Sequence, residues 1–130
     1  MDVRQQVFCK ELRRVSSTQA ADWLIGVYPL DSDDWGEAMV LLPHRSWGKA
    51  EQKRLAEHFF KKLPFSSYRG YESFTSIMSI VSLVGYIEKA LPEDTATREL
   101  LLYYLVPVLN RAAKNEADRQ AISKFVLGVV

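Results

Sequence analysis

The chain has 130 residues, 48% hydrophobic and 25% charged, with a net charge of +1. Residues 1–130 read as one domain, long enough to bury about two thirds of its unfolded surface without metals or disulfides, and apolar enough to exclude a disordered chain. Near neutrality excludes a strong whole-molecule field toward nucleic acid or an anionic membrane, and a single cysteine, Cys9, excludes an internal disulfide.

Apolar residues recur at helical spacing along almost the whole chain. A first helix is predicted through Val3, Val7, Phe8, Leu12 and Val15, with Asp2 as its N-cap. Ser16-Ser17-Thr18 breaks it and caps a second helix through Ala21, Trp23, Leu24 and Val27, which Pro29 ends. Asp31-Ser32-Asp33-Asp34 supplies a cap and an acidic entry to a short third helix from Trp35 to Leu42, stopped by Pro43. A fourth opens at Ser46 and runs to about Leu63, with Leu55, Ala56, Phe59, Phe60 and Leu63 on its apolar face. A fifth is predicted from about Tyr71 to Ala90, with no charge between Glu72 and Glu88, which places it at the centre. Its row of serines offers a neighbour a close approach. The sixth carries Leu101, Leu105, Val108 and Leu109 around an internal Pro107. Asn115 caps a seventh through Ala121, Phe125 and Val126.

No segment alternates with the period of a strand, and no Asn-Gly or Asp-Gly hairpin turn occurs. The expected fold is all-α: a bundle of about seven antiparallel helices, or alternatively a short stack of αα-hairpins of the helical-repeat kind. The uncharged stretch Ser73 to Ile87 is too short to span a bilayer, and the start Met1-Asp2-Val3-Arg4 lacks a signal peptide's apolar run, so a cytoplasmic protein is expected.

Motifs of catalysis are missing. His44 and His58 have no second histidine at ligand spacing, and no metal or cofactor is expected. Cys9 lies among apolar residues and reads as a small core residue. There is no Gly-x-Ser-x-Gly elbow and no phosphate-cradling glycine loop, so the chain is not expected to be an enzyme.

The charges instead fall in blocks. Residues 16–43 carry Asp22, Asp31, Asp33, Asp34 and Glu37 and no cation; residues 44–70 carry seven cations against Glu51 and Glu57. The blocks either pair internally, or one of them is a docking surface. The candidate protein-binding residues are Asp31, Asp33, Asp34, Trp35 and Glu37, with Tyr68, Arg69 and Tyr71 from the aromatic turn, since Trp, Tyr and Arg are enriched at interfaces. Trp23 and Trp47 either join that region or belong to the core. The competing candidate is a basic patch of Arg45, Lys49, Lys53 and Lys61, suited to phosphates, although Glu57 interrupts it.

The segment Asp31-Ser32-Asp33-Asp34-Trp35-Gly36-Glu37 on a small helical body resembles, in class character, the helical immunity proteins that bacteria make against secreted toxins. The resemblance implies a non-catalytic, cytoplasmic inhibitor that docks by charge complementarity, with a basic toxin domain as partner. Nucleic-acid binding and a helical scaffold or adaptor role are the alternatives.

Overall fold

A computed structural model describes residues 1–129. Eight α-helices and three short 3₁₀ turns, with no strand, make up the regular structure of the described residues. The all-α expectation holds, and the count rises by one for a local reason.

Helices α1 (Val3–Arg14) and α2 (Ser17–Val27) open with capping boxes. The side chains of Asp2 and Ser16 accept from the N–H groups of Gln5 and Gln19, whose own side chains reach back to the caps. The predicted third helix is a 3₁₀ turn (Trp35–Glu37), the single α-turn α3 (Ala38–Leu41) and a second 3₁₀ turn (Leu42–His44). Asp34 stands at its N-cap position without a side-chain capping bond, so the aspartates do not cap it as expected.

Helix α4 (Lys49–Phe59) begins at Gly48 rather than at Ser46. Trp47 is drawn into the core, where its indole N–H donates to the Leu42 carbonyl at 2.9 Å. The Gly48 N–H then donates to the Ser17 hydroxyl of α2 at 2.9 Å, so a neighbouring helix satisfies the entry.

The predicted fifth helix is two: α5 (Tyr68–Thr75) and α6 (Ile80–Lys89). Its serines are the reason. Ser76 donates to the Ser73 carbonyl at 2.6 Å, and Ser79 accepts from the Ser82 N–H at 3.2 Å as the N-cap of a new helix. These hydroxyls offer the backbone an alternative to continuing the ladder. The row read as a smooth face is therefore a break, and Val81 beyond it is 56% exposed. Helix α7 (Thr95–Ala112) is capped twice by Asp94 and carries Pro107 internally, which leaves the Tyr103 carbonyl without its usual partner. Asn115 accepts from the Asp118 N–H at 2.9 Å at the start of α8 (Glu116–Val129).

The packing follows one rule: α1 lies on α3, α3 on α5, α5 on α7, while α2 lies on α4, α4 on α6 and α6 on α8. The bundle is thus ordered as a stack of αα-hairpins in two layers, the odd helices in one and the even in the other. The core between them is apolar, with Leu24, Leu41, Leu55, Phe59, Tyr71, Phe74, Leu83, Ile87, Leu101 and Leu105 fully buried.

Gly70 sits in the first turn of α5. A Cβ there would stand 2.5 Å from the Phe65 ring. Phe65 is itself packed against Phe60 and Tyr71, so it cannot retreat without disturbing both. Gly70→Ala should therefore destabilise the fold by about 1–3 kcal/mol, the usual cost of overpacking, despite the better helix propensity of alanine. Urea unfolding checks this; an unchanged or raised midpoint would show that the ring yields freely.

Candidate functional site

The acidic and basic blocks scarcely neutralise each other. Only the Arg54–Asp22 pair, at 2.7 Å, joins them among the described residues. Glu37 is committed elsewhere. It accepts from both terminal nitrogens of Arg4 on α1, from the Tyr28 hydroxyl at 2.5 Å and from Gln5 at 3.2 Å. The Arg4 and Tyr28 hydrogen bonds hold its carboxyl down, from 4.5 to about 2. Burial, with Glu37 beside it, pushes the Tyr28 phenol up. Glu37 is therefore a strut between α1, the end of α2 and the turn before α3, which removes it from the docking residues. Sequence spacing carried no signal for this, because Arg4 and Glu37 are 33 positions apart.

Tyr71 is also removed. It is fully buried in α5, and its hydroxyl accepts from the Phe65 N–H at 3.0 Å. Desolvation raises its phenol to about 12.

The basic patch loses Arg45 to the fold. Arg45 donates to the carbonyls of Leu12 and Val15 at 2.6 and 3.0 Å, so it closes the C-terminal end of α1. Its guanidinium also lies over the Trp47 ring, 4.9 Å from the centroid. Lys49 is exposed at the start of α4, Lys53 pairs with Glu57 at 3.8 Å, and Lys61 stands in the 3₁₀ turn that follows α4. The first of these four is thus structural, and the other three are distributed along α4 and its end.

The remaining docking candidates converge. Asp31, Asp33 and Asp34 are exposed and take part in none of the ion pairs among the described residues. Next to them Trp35 is half-buried, its ring 5.9 Å from that of Phe65, with the Lys62 ammonium 5.6 Å from its centroid. Trp35, Gly36, Met39, Pro64, Phe65, Ser66, Ser67 and Arg69 line one groove of about 380 Å³. The acidic segment and the aromatic turn, 33 residues apart from Trp35 to Tyr68, therefore meet on the odd-helix layer. Trp23 and Trp47 lie apart from it. Trp47 is in the core, and Trp23 packs on Phe8 at 5.0 Å between α1 and α2.

No protein-family model, curated protein or solved structure matches this chain.

Helix α7 extends the same face with residues the sequence reading missed. The Tyr68 and Tyr104 rings meet edge-on at 5.0 Å, Tyr103 lies 5.1 Å from Tyr104, and the Arg111 guanidinium is 5.8 Å from the Tyr68 ring. Tyr103 is 65% exposed. A Tyr-Tyr pair inside the apolar stretch 100–109 was the available signal, and only the packing of α7 on α5 shows which way it faces.

No group of three or more His, Cys, Asp or Glu side chains among the described residues can hold a metal ion. No helix of the described residues is long and apolar enough to cross a membrane.

The Glu37 strut makes a pH-dependent contribution. Its folded value lies below the ordinary carboxyl value, so its stabilisation is complete above about pH 4.5 and is lost as pH falls toward 2. Glu37→Gln should lower Tm near neutrality, and the gap to the parent protein should narrow through that window. Thermal melts across the range check this; a gap independent of pH would overturn the assignment.

Proposed function

We propose that the chain is a non-catalytic protein-binding module that docks a basic partner protein on the groove beside Trp35. One observation carries this reading: three exposed aspartates that enter no ion pair among the described residues directly precede Trp35, which lines one groove with Phe65 and Arg69. Surplus charge beside such a groove steers association and rejects like-charged partners. The aromatic and arginine side chains supply rigid contact area at low entropic cost.

An inhibitor of the immunity-protein type, working in the cytoplasm against a basic toxin domain, is the specific form of this reading. What supports it is the acidic, aromatic docking face on a small helical body. A scaffold or adaptor would use the same face differently, holding two partners rather than blocking one. The nucleic-acid alternative is weakened by the commitment of Arg45 to α1 and of Lys53 to Glu57.

The test is affinity capture from the source cells, followed by kinetics with the purified partner. The partner should present a basic face, and Asp33→Lys with Asp34→Lys should slow association at low salt by about tenfold or more, with the difference shrinking as salt rises. Tyr103→Ala should instead act mainly on dissociation. Association unchanged by the charge reversal would overturn the assignment of this face. Loss of the partner's own activity on binding separates the inhibitor from the adaptor.

A further inference from the structure

The even-helix layer holds a second, larger cleft of about 850 Å³, lined by Ile25 of α2, by residues of α4 and the turn after it between positions 53 and 63, and by Tyr86, Lys89 and Ala90 at the end of α6. Its volume lies in the upper part of the range of small-molecule sites. Its walls mix apolar surface from Ile25, Ala56, Phe60, Leu63, Ala90 and Pro92 with four cations, Lys53, Arg54, Lys61 and Lys89, and one carboxylate, Glu57.

Counting which cations are already matched narrows the ligand. Lys53 is held by Glu57, and Arg54 by Asp22. Lys61 and Lys89 make no ion pair among the described residues, and they line the cleft from two different elements, the turn after α4 and the end of α6. Each stands in a last helical turn, where the dipole favours a cation without cancelling its charge. His58 adds no charge: burial lowers its imidazole below the ordinary value, and its Nε2 faces the Tyr28 carbonyl at 3.4 Å. Tyr86 is half-buried against the same wall, and its hydroxyl makes no hydrogen bond to the described residues, so an aromatic face and a free polar tip both border the cleft.

We propose that this cleft binds a small amphipathic anion, a phosphate or carboxylate head on an apolar body, with Lys61 and Lys89 clamping the head and Tyr86 bordering the body. The site lies on the other helical layer from the docking groove, so it stands or falls independently of the protein-binding reading.

Titration calorimetry with decanoate and with adenosine 5′-monophosphate tests the two sources of such a head, and decanol and adenosine serve as uncharged counterparts. At least one anion should bind the intact protein with sub-millimolar affinity, and its uncharged counterpart at least tenfold more weakly. Lys61→Glu with Lys89→Glu should reduce that affinity at least tenfold, whereas Lys49→Glu, on α4 but outside the cleft, should leave it unchanged. Should the double charge reversal fail to fold, Lys61→Gln with Lys89→Gln, checked by circular dichroism, should give a loss of about fivefold. Decanoate binding alone assigns an aliphatic body, and nucleotide binding alone an aromatic one. The proposal is overturned if neither anion binds, if the uncharged counterpart binds equally well, or if affinity survives in the folded lysine variants.

Discussion

The hydroxyls of Ser76 and Ser79 determine where the longest uncharged stretch of the chain can go. An unbroken helix from Tyr71 to Ala90 would be about 30 Å long and would lie within a single layer. Broken at Ser76–Ser79, its halves separate. Helix α5 lies on α3 and α7, and α6 on α4 and α8. Both layers thereby gain an apolar central helix, and the alternation of odd and even helices is preserved through the middle of the stack. Two local hydrogen bonds, at 2.6 and 3.2 Å, thus underlie the long-range order. They are cheap to form, because a serine side chain loses little freedom in satisfying a helix end.

The charges divide into those the fold uses and those it leaves over. Glu37 and Arg45 are the used ones. Each reaches across roughly thirty residues to fasten α1, one through the Arg4 guanidinium and the other through the carbonyls at its C-terminal end. Exposed ion pairs contribute little individually, but Glu37 also satisfies the Tyr28 hydroxyl at the end of α2 and so fixes a corner of the structure. What remains includes an acidic segment on one layer and, on the other, two lysines of the cleft that enter no ion pair among the described residues.

The helical pattern was legible because it rests on local rules. Asp2, Ser16 and Asn115 cap the helices their positions announced, since a cap needs only a short polar side chain and an N–H two or three residues on. Serines inside an apolar run were ambiguous, because the same hydroxyl can lie on a helix face or end the helix, and residue type alone does not say which backbone bond it makes. Tyr71 looked like an interface residue beside Tyr68 for a similar reason. Three positions apart, the two share a helical neighbourhood, yet the first fills the core and the second borders the groove. Glu37 could not be separated from its acidic neighbours in sequence, because its partner is distant.

The surplus aspartates gain their meaning from that separation. A carboxylate that braces the fold, as Glu37 does, is constrained in position and its charge is largely spent on its donors. Asp31, Asp33 and Asp34 lie within four positions of one another and repel, and no guanidinium or ammonium of the described residues forms an ion pair with them. Such repulsion disfavours the compact state slightly, while the same uncompensated field is what a cationic partner would feel at a distance. Beside them the Trp35 ring is already held by Phe59 and Phe65, so contact there would immobilise little that the fold has not immobilised already. Long-range attraction and a preorganised contact surface thus occur side by side, a combination that favours fast and selective association.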